Sequence, residues 1–124
     1  MRGGKDQYPQ GGDMLKVEHL TTHGGTRLPR ARSGARETIS LIRMTGVRIP
    51  RNESWLWKRP GTEYFVVYNA DSCNYFIAVV NPETAGVITI LPQADVWLHV
   101  SAKTRREAYL KAVEQKYGQG AKAR

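Results

Sequence analysis

The sequence predicts an α+β domain: an antiparallel sheet of four or five strands with a C-terminal helix packed on one face, preceded by a flexible basic N-terminal arm. Three observations carry this. TEYFVVYN (62–69) and NYFIAVV (74–80) are apolar at successive positions and rich in β-branched and aromatic residues, as strands covered on both faces are. The connections joining them to each other and to VITIL (87–91) are too short for a parallel crossover, so the three form an antiparallel meander. AKTRREAYLKAVEQKY (102–117), with Ser101 as an N-cap, is the one strongly helical segment.

From the N-terminus, residues 1–37 hold seven of the twelve glycines, two prolines and no sustained period, which predicts a flexible arm. Within it, MLKVEHL (14–20) suits a short strand or a single helical turn. RLPRARSGAR (27–36) sets Arg27, Arg30, Arg32 and Arg36 among Gly, Pro and Ser, a composition that predicts a solvated basic segment. From Thr38 to about 118 the texture is that of a single domain, and 119–124 read as a loose tail. TISLIRM (38–44) alternates Ile39, Leu41 and Arg43 with Ser40, Ile42 and Met44 and predicts a strand ended by Gly46 and Pro50. ESWLWKRPG (53–61) suits one helical turn stopped by Pro60-Gly61. The Asn-Pro and Gly of NPETAG (81–86) mark a turn, and DVWLHV (95–100) suits a last short strand. In the C-terminal helix, Ala102, Tyr109, Leu110, Val113 and Tyr117 fall on one stripe expected to lie across the sheet, with Arg106 inside it, and Gly118 and Gly120 end the helix.

With 124 residues the chain has room for one modest core. No apolar run reaches the roughly 18 residues of a bilayer-spanning helix, and the opening MRGGKDQYPQ lacks the apolar centre of a secretory signal. One cysteine, Cys73, excludes an internal disulfide and a cysteine-built zinc site, and together these features predict a cytoplasmic protein. The formal net charge of +8 is unevenly spread. Residues 1–37 carry +3, 38–60 carry +4, 61–100 carry −4 without a single Lys or Arg, and 101–124 carry +5. Such an excess attracts polyanions, nucleic acid first and acidic protein surfaces second. Any anion-binding surface must be built from the flanks.

Several residues have the chemistry for such a surface. Trp55 and Trp57 beside Lys58 and Arg59 interleave rings that stack bases with cations that hold phosphates. Equally, one of these rings could plug the core. Lys103 and Arg105 lie near a helix start, where backbone N–H groups favour an anion. Arg106, amid apolar neighbours, suits a phosphate clamp or an arginine whose stem packs while its head reaches water. His19 and His23 have helical metal-ligand spacing, but their Thr-Thr and Gly-Gly context is a poor helix and offers no third ligand, so no metal site and no cofactor are expected. The chain lacks a phosphate-binding Walker loop, a GxSxG elbow and a paired-cysteine motif.

VVNPETAGVITILP (79–92), a strand, an Asn-Pro-Glu-Thr turn and a strand of the form apolar-Thr-apolar-apolar-Pro, resembles the last hairpin of the small toxin ribonucleases grouped with RelE, barnase and colicin-type tRNases. The resemblance implies that Thr89, three residues before Pro92, lines an RNA cleavage site. Helices of that family precede the sheet and carry the acid or base; here the predicted helix follows it, so the search turns to the remaining residues. RNA cleavage by the 2′-hydroxyl needs a base, an acid and cations for the charged intermediate. His99, close in sequence to Arg105 and Arg106, is the candidate, giving a trio of Thr89, His99 and Arg106 for a metal-independent endoribonuclease; as a strand residue His99 would equally be a satisfied, partly buried ring. Two functional expectations follow. One is a nucleic-acid-directed protein, RNA favoured, with or without ribonuclease activity. The other is a non-catalytic regulator or phage-type inhibitor that docks on an acidic host protein.

Overall fold

A computed structural model describes residues 15–51 and 60–123. The elements run β1 (His19–Leu20), α1 (Thr22–Thr26), a 3-10 turn (Leu28–Arg30), α2 (Ala35–Thr45), β2 (Val47–Arg48), β3 (Glu63–Asn69), β4 (Asn74–Asn81), β5 (Gly86–Leu91), α3 (Gln93–His99) and α4 (Ala102–Ala123). The chain is α+β, with a five-stranded sheet in the order β1-β5-β4-β3-β2. The expected meander is present: β3 pairs with β4 over seven residue pairs, from Glu63 opposite Val80 to Asn69 opposite Asn74, and β4 pairs antiparallel with β5. The sheet is mixed rather than purely antiparallel, because β1 runs parallel to β5, with His19 opposite Gly86 and Leu20 opposite Val87.

Both faces of the sheet are covered. Phe65, Val67, Phe76, Ala78, Val80, Val87 and Ile90 form one core with Val17, Ala31 and Ile42 from the preceding segment. Tyr64, Val66, Ile77 and Val79 form the other with Val96 and Val100 from α3 and its C-cap, and Ala108 from α4. This double burial is why the strands lack the polar alternation of a one-sided sheet. In β5 a bulge leaves Ile88 unpaired between Val87, opposite Val80, and Thr89, opposite Val79.

Several expectations change. Residues 38–44 are helical, not a strand. Thr38, Ile42 and Thr45 recur at helical spacing on the buried side of α2, and the helix start is held by Glu37, whose carboxylate accepts the Gly34 N–H at 3.1 Å. Thr38 and Thr45 tolerate burial because Thr38 shares a 2.7 Å bond with Ser33 and Thr45 donates to the Leu41 carbonyl at 2.7 Å. Residues 93–99 are likewise a helix, α3, with Val96 and then Val100 turned inward. The described part of the expected flexible arm, from residue 15 on, is folded onto the sheet: Val17 and Ala31 are fully buried, and Asn69 and Asn74 donate to the Ala31 and Arg30 carbonyls at 2.9 and 3.1 Å.

The C-terminal helix is present, capped by the Ser101 hydroxyl, which accepts the Thr104 N–H at 3.2 Å. Its backbone breaks at Gly118, whose φ of 63 is the left-handed region that glycine enters without strain. The stripe facing inward differs from the expected one. Thr104, Ala108 and Ala112 are buried, while Tyr109, Leu110 and Tyr117 are exposed. Small residues face in because α4 packs closely on both β3 and α2.

Candidate functional site

The block without Lys or Arg corresponds to β3, β4 and β5, the middle of the sandwich, and to α3, which covers part of one face. The basic flanks supply the other covers. α2, from before the block, packs on α4, from after it: the Lys111 amine donates to the Gly46 carbonyl at 3.5 Å, and Gln115 reaches Met44. Beside this seam, Lys116 pairs with Asp71 in the β3–β4 turn at 2.8 Å, which raises the lysine pKa above its ordinary value. Leu41 and Thr45 of α2, Ala112 and Gln115 of α4, and the turn residues around Asp71 line a shallow groove of about 170 Å³.

The proposed ribonuclease trio is drawn from three different elements. Thr89 lies in the β5 bulge opposite Val79 and is half-buried. His99 ends α3 with its ring only 8% exposed and Nε2 3.9 Å from the Asp95 carboxylate one turn earlier. Arg106 is exposed on α4. Among the candidate binding residues, Lys103 on α4, Arg32 before α2 and Arg36 in its first turn are exposed, and Arg27 is half-buried. Arg30 is engaged by the fold: its guanidinium donates to the Ile90 carbonyl at 2.9 Å and closes part of the outer edge of β5. Arg105 is also engaged, donating to the Val100 carbonyl at 3.0 Å while lying 4.5 Å over the Trp97 ring. Trp55, Trp57, Lys58 and Arg59 lie outside the described residues. Among the described residues no cluster of His, Cys, Asp and Glu could hold a metal ion, and no helix is long and apolar enough to cross a membrane.

The sheet register builds a second aromatic feature that the motif reading did not single out. Tyr68 and Tyr75 are cross-strand partners on the face shared by α3 and α4, with ring centroids 4.7 Å apart. Tyr109 of α4 lies 5.0 Å from Tyr68, and Trp97 of α3 lies 5.7 Å from Tyr75, so four rings form a row with Arg105 at its Trp97 end. Two contacts fix its geometry. Gln93, at the start of α3, accepts the Tyr75 N–H at 2.8 Å, and the Tyr75 hydroxyl donates to the Arg105 carbonyl at 3.4 Å. Trp97 and Tyr109 remain 54% and 42% exposed, which keeps the outer ends of the row open to solvent.

At the turn beside this row, the Tyr68 phenol interacts with the Cys73 thiol. That hydrogen bond, with burial and the nearby Tyr109 and Tyr75, pushes the phenol up to about 12. Burial also raises Tyr75, against a lowering by Arg105. Tyr68 and Tyr75 therefore stay neutral at physiological pH, and the middle of the row carries no negative charge. Only the central pair had a signal in the sequence: in YNADSCNY (68–75) the Tyr-Asn pair is mirrored across four residues, so a four-residue turn pairs Asn69 with Asn74 and Tyr68 with Tyr75. No protein-family model, no curated protein and no solved structure matches the chain.

Proposed function

We propose that the protein binds nucleic acid, with RNA as the favoured polymer, and holds it without cleaving it. The observation carrying this reading is the juxtaposition of the two basic covers: α2 and α4, separated in sequence by the cation-free block, pack on each other, and α4 exposes Lys103, Arg106 and Lys111. Phosphates attract such a surface at long range, and each contact releases counterions. Turnover demands more. A base must reach the 2′-hydroxyl, and the His99 ring, 8% exposed, has almost no open surface with which to do so.

The test is fluorescence anisotropy with labelled RNA and DNA across a salt series. Three phosphate contacts predict a slope of log affinity on log salt of about −2 to −3, reduced in Lys103→Glu/Arg106→Glu. An affinity indifferent to salt would overturn the reading. The second reading, docking on an acidic host protein, draws on Leu98 and Leu110, which are 74% and 51% exposed and suit an apolar protein contact better than a phosphate backbone. It predicts no salt-sensitive polynucleotide binding. Incubation with total RNA, comparing the parent with His99→Ala, checks the catalytic expectation: cleavage lost only in the variant would restore His99 as a catalyst.

A further inference from the structure

We infer that the row Tyr109–Tyr68–Tyr75–Trp97 is a base-stacking platform, and that the ligand class of this protein is unpaired single-stranded nucleic acid rather than duplex. The inference rests on the nucleic-acid reading above and names where bases, as distinct from phosphates, are held.

The rings follow one another at centroid steps of 5.0, 4.7 and 5.7 Å across α4, β3, β4 and α3, with Tyr109 and Trp97 exposed at the ends and Tyr68 and Tyr75 half-buried between them. Because neighbouring rings are tilted by 54–70° to each other, they do not close into a mutual stack. Such a row has room for about two or three bases, as aromatic sheet platforms for RNA do. Bases inside a duplex keep their faces covered by their own neighbours, so rings on an open surface reach only unpaired ones.

Charge decides the occupant. The row carries no acidic side chain, and Arg105 lies against Trp97 while Arg106 and Lys103 stand exposed on the same helix. Rings alternating with cations match a chain of bases alternating with phosphates. The supports are built for position: Arg105 is tied to the Val100 carbonyl, and Tyr75 is tied at its N–H to Gln93 and at its hydroxyl to the Arg105 carbonyl.

The experiment measures anisotropy of a fluorescein-labelled oligouridine and of a fully paired RNA duplex of equal length, with the parent protein, Trp97→Ala, Tyr109→Ala and Trp97→Phe. Both replaced rings are exposed, and thermal melts confirm that the variants fold. The platform requires the single strand to bind more tightly than the duplex. Each alanine variant should weaken single-strand binding about 5- to 100-fold, with the salt slope unchanged because no phosphate contact is lost. Trp97→Phe should recover most of the loss. Salt-dependent binding that ignores both alanine substitutions, or that prefers the duplex, overturns the platform and leaves the electrostatic reading standing. Absence of salt-dependent binding to either RNA overturns both.

Discussion

Asn69→Ala should cut the joint between the N-terminal segment and the sheet. Asn69 is 2% exposed and works in two directions. Its amide donates to the Ala31 and Arg32 carbonyls at 2.9 and 3.4 Å, and its carbonyl oxygen accepts the Asp71 and Ser72 N–H groups at 3.1 and 3.4 Å. Alanine keeps the Cβ and loses all four contacts. The two shorter bonds are each worth about 1 kcal/mol net, and the carbonyl of the fully buried Ala31 is left without its donor, so the loss is about 2–3 kcal/mol. That is a large share of the roughly 5–15 kcal/mol that holds a domain folded. In urea, with a slope of about 1–3 kcal/mol per molar, the midpoint should fall by about 1 M or more. Trypsin should also cut faster after Arg30 and Arg32. A midpoint within about 0.2 M of the parent, with unchanged cleavage, would refute the docked arrangement of residues 30–32 and the fixed placement of Arg27, Arg32 and Arg36 that follows from it. Asn69→Asp sharpens the test. It retains the turn acceptor but sets a buried carboxylate against two carbonyls, which raises its folded-state pKa. Its deficit relative to the parent should therefore shrink as pH falls and the carboxyl takes up a proton.

The remaining predictions concern local chemistry. Cys73→Ala should bring the Tyr68 midpoint, followed by phenolate absorbance, down from about 12 towards 10. Because the folded-state pKa is raised, the stability this interaction supplies is complete below pH 10 and is lost between 10 and about 12. Ile42→Ala, at a fully buried site on α2, should cost about 2–5 kcal/mol in chemical denaturation. Ser40→Ala, on the exposed side of the same element, should stabilise by up to about 0.5 kcal/mol; a loss instead would favour the strand that alternation suggested. Ala85 is buried in the β4–β5 turn at φ 62, so Ala85→Gly should leave the melting temperature level or slightly raised, since relief of left-handed strain is offset by unfolded-state entropy. Ala85→Val should lower it markedly.

The three central strands were legible because continuous apolar runs with short turns allow little else. The helices were less so, for a reason visible in their buried faces. In α2 the inward positions include Thr38 and Thr45, whose hydroxyls are satisfied locally, so a reading that equates inside with apolar misses the helical period. In α4 the inward positions are Thr104, Ala108 and Ala112, small enough for close packing, while the larger Tyr109 and Leu110 drew the expected stripe to the wrong side. α3 is short, and Val96 and Trp97 followed by Val100 mimic a strand. The basic residues of the flanks were found by counting, but their duties were not: Arg30 and Arg105 bond to backbone carbonyls, which only the fold assigns. The aromatic row depended on register, since Tyr68, Tyr75, Trp97 and Tyr109 share no sequence spacing and meet only through strand pairing and the placement of α3 and α4.

The charge pattern itself has two causes, and separating them decides what it means. A sheet covered on both faces has little room for an unpaired cation, whose burial is costly, so the absence of Lys and Arg from residues 61–100 follows largely from the sandwich. That absence is therefore weak support for a binding role. The excess on the covers is different. A cover helix stays solvated with charges of either sign, yet residues 101–124 carry seven cations against two acids. Nothing in the packing of α4 requires that imbalance, because its contacts with β3 and α2 are made by Thr104, Ala108 and Ala112. The sign of the exposed face is what a polyanion would sense, and under the proposed function the aromatic row at its border is where that attraction would become a contact.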